Sequence, residues 1–267
     1  MIKNIVIVFI LTIAILSNSL LPTQPVYADY AGTYRSYVNL YDAYRKAEQS
    51  YIASKNKYLT YRTLTAENEA LESGRIFLKL RDQLVLLYFQ LLYERVKETG
   101  GFTIDERTLI FNKLSVEMDW LAEHRTLYDS SSTLKDLQRT SDQMQERYMT
   151  LLRYIGLQTA GSILQNKVTV LTTLFEDLLS QTESQIELIA VNGADTTLMQ
   201  RWLLEAKNKL ALSIAKQEDA KAIFTNLHGE NLVTDYNTGA FALTEATQYL
   251  REANSNVSEI LRIIKGE

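Results

Sequence analysis

No cysteine occurs in the 267-residue chain, and its only two prolines, Pro22 and Pro25, lie near the N-terminus. The first absence excludes disulfide staples, thiolate metal sites, thiol nucleophiles and lipidated cysteine. The second leaves everything after residue 25 free of the one residue that must break a helix. Histidine is also scarce: His124 and His228 are the only two. A di-iron bundle of the ferritin type needs Glu-x-x-His pairs on two helices, but Leu121 and Thr225 stand three residues before these histidines. His-Glu-x-x-His, Gly-x-Ser-x-Gly and Gly-x-Gly-x-x-Gly are absent. Gly156-x-x-x-x-Gly161 is followed by Ser162 rather than lysine, so it is no phosphate cradle. Any carboxylate pair for glycoside cleavage would be an arbitrary draw from 32 acidic residues. His124 shares a helix side with Glu117, Leu121 and Tyr128 and reads as a boundary histidine with one wet edge. His228, just before Gly229, reads as a helix-end cap. The expectation is therefore no catalytic, cofactor or metal residues and a non-enzymatic protein. A formal net charge of −4 gives no reason to expect a nucleic-acid partner.

The N-terminus carries its own signal. Lys3 is followed by an apolar run from Ile5 to Leu16, then a looser stretch ending in Val26-Tyr27-Ala28. A basic start, a short apolar run and a small residue at the end match a secretory signal peptide, with cleavage expected after Ala28. The run is short for a bilayer span, which takes about 20 apolar residues. No stable transmembrane anchor is expected after cleavage. Export without cysteine leans towards a bacterial protein of the cell envelope, the periplasm or the extracellular space.

Beyond residue 28 the chain is rich in Ala, Leu, Glu, Lys, Gln and Arg, all good helix formers. Tyrosines at 30, 34, 37, 41, 44, 51, 58 and 61 follow heptad spacing. Such positions share one face of a helix and would scatter over both faces of a strand. The first helix is expected over about 31–63, with Val38, Ile52 and Leu59 widening the apolar face and Arg35, Asp42, Lys46 and Lys57 opposite. A kink or tight turn is expected near 63–65. A second helix over about 67–98 is apolar around most of its girth, which marks it as central. Thr99-Gly100-Gly101 stops it. Thr103-Ile-Asp-Glu106 is a capping box for a third helix. Asp129-Ser-Ser-Ser132 interrupts the pattern and Thr133 restarts it. The fourth helix runs to about Val191, with Gly156 and Gly161 as places where it bends or breaks. Asn192-Gly193 is a turn. The fifth helix opens at Thr197-x-x-Gln200, with Trp202, Leu203, Leu210, Ile214 and Phe224 inward. After Gly229, a polar loop holding Asp235, Asn237 and Gly239 precedes a last helix over 240–265.

No linker or long repeat divides the chain. The expected architecture is all-α: one elongated, antiparallel, coiled-coil-like bundle of five to six long helices over 29–267, after a signal peptide over 1–28. The candidate interaction face is the tyrosine stripe, Tyr34, Tyr37, Tyr41, Tyr44, Tyr51, Tyr58 and Tyr61. It reads either as a buried seam or as an exposed aromatic ridge, since tyrosine suits recognition surfaces. Its far half, where Glu48, Lys55 and Arg62 enter, is the less seam-like part. The functional expectation is an exported structural or protein-interaction module. Its partners would be a protein or a second copy of the chain met through helix faces, or an envelope polysaccharide. One alternative is a small-molecule or sugar-binding bundle with a pocket lined by Trp120, Trp202 or tyrosines. The other is a helical pore-former, for which 84–93 is the only candidate hairpin.

Overall fold

The computed structural model describes residues 28–265, and the apolar N-terminal run read as a signal peptide lies outside the described residues. The protein is an all-α helical bundle, and no strand occurs among the described residues. The helices are α1 (Ala28–Tyr61), α2 (Leu64–Glu98), α3 (Ile104–Ser130), α4 (Leu134–Arg147), α5 (Arg153–Val191), α6 (Thr197–Thr225) and α7 (Leu232–Lys265). A single π-helical turn, Tyr148–Leu152, joins α4 to α5 without a break. The residues group into two compact units. One holds α1 to α4 and the chain to Thr159; the other holds the Thr99–Phe102 turn and everything from Ala160. The boundary at 159/160 falls inside α5, so no Pro- or Gly-rich composition marks it.

In the first unit α2 is the central helix and packs against α1, α3 and α4. Phe77, Leu84, Val85, Tyr88, Phe89, Leu91 and Leu92 are all buried, as a helix apolar around its girth requires. The 84–93 segment considered for a pore-forming hairpin therefore lies largely in this core. Among the described residues no helix is long and apolar enough to cross a membrane.

Residues 31–98 form two helices, not one. The turn between them contains neither glycine nor proline. Arg62 takes the left-handed conformation at φ 51° and its N–H bonds the Tyr58 carbonyl at 2.8 Å, the usual role of a glycine at a helix end. Thr63 then caps α2, its hydroxyl accepting from the Ala66 N–H at 3.2 Å. Gly74 marks the level where three helices converge. A Cβ there would fall 2.6 Å from Leu137 of α4 and 3.0 Å from the Tyr51 ring of α1. Past this level α1 and α2 hold each other through Ser54–Ser73 at 2.5 Å and Lys57–Glu69 at 2.6 Å. The capping box at α3 forms as read: Thr103 Oγ1 accepts from the Glu106 N–H, and Glu106 accepts from the Thr103 N–H.

The second unit is a three-helix assembly with heptad seams. The buried positions of α6 are Met199, Leu203, Ala206, Leu210, Ser213, Gln217, Ala220 and Phe224, in alternating steps of four and three. Trp202 is only half-buried and Ile214 is exposed, which corrects their expected inward placement. The expected polar loop around Asp235 is helical, because α7 starts at Leu232. Leu232, Tyr236, Gly239 and Leu243 keep the same steps, and that seam outweighs the loop-forming composition. Gly161 does not break α5. It and Gly239 of α7 receive the Phe224 ring, where an added Cβ would come within 2.7 and 2.6 Å of it. One seam layer is polar: Gln217 donates to Thr172 Oγ1 at 2.8 Å and to Ser213 Oγ at 3.3 Å. Lys207–Glu183, Lys209–Glu252 and Lys216–Glu245 flank the seams.

Candidate functional site

The tyrosine stripe splits into a buried half and an open half. Tyr30, Tyr37 and Tyr44 are buried, with Tyr44 stacked on Phe77 at 5.3 Å between ring centres. Tyr51 stacks on the same phenylalanine at 5.5 Å but is only half-buried. Tyr34, Tyr41 and Tyr58 are half-buried too, and Tyr61 is 67% exposed. Burial raises the pKa of Tyr37 and Tyr44 well above the ordinary phenolic range, with nearby tyrosines adding to it at Tyr37 and Glu48 adding to it at Tyr44.

The reading of Val38, Ile52 and Leu59 as part of the packed face is corrected. All three are exposed, at 41%, 50% and 55%. Each directly follows a stripe tyrosine in sequence, one residue and about 100° further round the helix. That step carries them off the seam, and it was available in the spacing. With Arg45 they form one row, 38, 45, 52 and 59, on the outer side of α1. At the end of the α1–α2 hairpin, Tyr61 and Leu64 extend the apolar surface, Leu64 at 73% exposure.

The second feature is a polar cluster in the core of the first unit. His124 is buried, contrary to its reading as a boundary residue. Its Nδ1 lies 2.7 Å from Asp82 Oδ2 and its Nε2 lies 3.1 Å from the Thr140 carbonyl. Both ring nitrogens are thus engaged within the fold. Arg81 completes the cluster. It donates to Asp82 Oδ1 at 3.1 Å, to Tyr128 Oη at 2.8 Å and to Ser141 Oγ at 3.1 Å. Burial works against the Arg81 charge, but Asp82 and Tyr128 outweigh it and the guanidinium pKa ends above its ordinary value. Burial likewise drives the Tyr128 hydroxyl pKa upward, Arg81 opposing and Asp82 reinforcing. The sequence hid this cluster because Arg81 and Asp82 sit in the most apolar helix as two unremarkable charges.

Above the cluster lies an open groove of about 590 Å³, lined by Trp120, Glu123, Thr126, Gln143, Glu146 and Arg147 among others. Trp120 stacks on His124 at 4.6 Å, and the Arg147 guanidinium sits 4.7 Å from the indole centre. Arg147 is held by buried Glu117 through two bonds of 2.9 Å each. The groove thus presents one indole ring, one amide, hydroxyls and carboxylates, while its imidazole and guanidinium are already engaged. No cluster suited to holding a metal ion occurs among the described residues. Comparison of the chain with protein-family models, curated proteins and solved structures returns no match.

Proposed function

We propose that the chain acts after export as a non-enzymatic helical interaction module in the cell envelope or extracellular space, and that a protein partner docks on the outer side of α1 and the end of the α1–α2 hairpin. The observation that carries this reading is the run of large apolar side chains left open there: Ile52, Leu59, Tyr61 and Leu64, all at or above 50% exposure. Scattered exposed residues need no explanation, but apolar side chains grouped along one helix row and around its end mark an interaction surface. Export is supported by the basic and apolar pattern of the N-terminal 28 residues. A non-enzymatic role is supported by the engagement of His124 and Arg147 within the fold.

The test is a photo-crosslinking residue placed at Leu59 or at Tyr61 in living cells. The expected result is a discrete crosslinked species, lost on Ile52→Glu, while the same residue at Tyr44 gives none. No crosslink from either outer position would overturn the reading.

A second reading is favoured by one observation. Trp120 does line a groove, as a small-molecule or sugar site on this bundle would require. Thermal-shift measurements with envelope sugars would support it through a rise in melting temperature that Trp120→Ala abolishes.

A further inference from the structure

The outer row of α1 is complementary to itself in one orientation. Along it, Arg45, Ile52 and Leu59 recur at seven-residue steps, and Glu48 and Lys55 form the adjoining row at the same step. Arg45, Ile52, Lys55, Leu59 and Arg62 are exposed and Glu48 is half-buried. Lys55 leans over its own Tyr51 ring at 5.8 Å, and no ion pair within the chain engages Glu48 or Lys55 among the described residues. If a second α1 is laid antiparallel with Ile52 meeting Ile52, Leu59 of each copy meets the aliphatic stem of Arg45 of the other. In antiparallel helix pairs the flanking rows of one kind face each other. Glu48 then lies opposite Lys55 twice, once on each side of the axis. A parallel alignment about a two-fold axis would instead carry this row to opposite sides of the seam in the two copies, so that Glu48 and Lys55 of one copy would not meet those of the other.

We propose that the partner surface on α1 is met by a second copy of this chain, forming an antiparallel two-fold contact centred on Ile52. This rests on the reading of the outer α1 face as a docking surface and names its occupant. A two-fold contact of this kind is isologous: each copy offers the same patch, and each pair occurs twice. A single helix-on-helix contact of a few turns falls short of the roughly 1,200 Å² that stable complexes bury. The dimer is therefore weak, reversible and concentration-dependent, and added salt loosens it by screening the exposed pairs.

Sedimentation of the isolated protein over a wide concentration range tests this. Wild type should pass from monomer to dimer. Glu48→Lys alone and Lys55→Glu alone should each weaken dimerisation at least tenfold, because each places like charges together twice. The double variant E48K/K55E should restore it, and so should an equal mixture of the two single variants, through heterodimers. Circular dichroism should be unchanged throughout, since these side chains sit outside the core. The cysteine-free background gives a geometric arm. Ile52→Cys should crosslink readily to its copy on oxidation. Val38→Cys should not, because the two copies of residue 38 would lie about 40 Å apart. A wild type monomeric at every concentration would overturn the proposal, as would a dimer indifferent to Lys55→Glu or a double variant that fails to recover. If the protein stays monomeric while Leu59 crosslinks to another protein in cells, self-pairing falls and the wider reading of the surface stands. If neither occurs, both fall.

Discussion

Asp82 Oδ2 and His124 Nδ1 lie 2.7 Å apart with both side chains buried, and this pair ties α2 to α3 in the core of the first unit. Arg81 donates to the same carboxylate, and Tyr128 Oη lies within reach of both Arg81 and Asp82. Removing the carboxylate strands the guanidinium away from water. Asp82→Ala should therefore cost about 3–5 kcal/mol in urea unfolding, the usual price of a buried pair broken on one side. His124→Leu should cost less, since Asp82 keeps Arg81. Equal losses would mean that the imidazole carries as much of the network as the carboxylate.

Two buried tyrosines should respond in opposite ways to losing their hydroxyl. Tyr128 Oη accepts from Arg81 at 2.8 Å and lies 3.4 Å from Asp82, whereas Tyr37 Oη meets no partner among the described residues. Tyr128→Phe should cost about 1–3 kcal/mol by leaving a charged donor short of an acceptor. Tyr37→Phe should be neutral or slightly stabilising. Denaturant midpoints of the two variants check this, and a clear loss at Tyr37 would show that its hydroxyl has a partner in solution.

Phe224 is seated against two glycines, so each glycine should be intolerant of alanine. Gly161→Ala and Gly239→Ala put a methyl group within 3 Å of a rigid ring and should cost about 1–3 kcal/mol. Gly32 in α1 has open space around it, and Gly32→Ala should stabilise by up to about 1 kcal/mol. Thermal melts of the three variants give the comparison. The prediction fails if Gly161→Ala melts at the wild-type temperature.

These positions also show how far the chain could be read before the structure. The tyrosine spacing located the α1 seam, and the Thr103–Glu106 spacing located the start of α3, because a helical period and a cap are local facts. Arg62 could not be foreseen as a left-handed helix end, since a neighbouring helix start rather than its own side chain fixes that turn. Gly161 looked like a break because an isolated glycine weakens a helix, and Gly239 looked like part of a polar loop. Their purpose appears only when Phe224 arrives from another helix. His124 looked half-wet because its partners, Asp82 and the Thr140 carbonyl, are distant in sequence. The exposure of α1 was half legible: its far half was read as less seam-like, as it is, but the row of Val38, Ile52 and Leu59 was assigned to the packed face.

Alkaline pH should unfold the bundle in a specific order of events. Burial raises the pKa of Tyr37, Tyr44 and Tyr148 in the first unit and of Tyr236 in the second. In the unfolded chain these hydroxyls ionise near pH 10. A folded pKa above the unfolded one means that the neutral ring favours the fold. Its contribution is complete below about pH 10 and is lost as the pH rises towards the folded values. Helical circular dichroism should hold to about pH 10 and then fall together with the appearance of tyrosinate absorbance from these rings. Full tyrosine ionisation near pH 10 with intact helicity would contradict their burial.

The two-sided character of α1 is the claim on which the rest depends, and thiol labelling measures it directly. Single cysteines at positions 37, 44, 52 and 59 in the cysteine-free chain would be exposed to a maleimide reagent under native conditions at low protein concentration. Positions 52 and 59 should label at the rate of an unfolded control, while 37 and 44 should label only through opening of the fold and so at least a hundredfold more slowly, equivalent to about 2.7 kcal/mol. Comparable rates at all four positions would show that α1 has no buried side, and the account would be wrong.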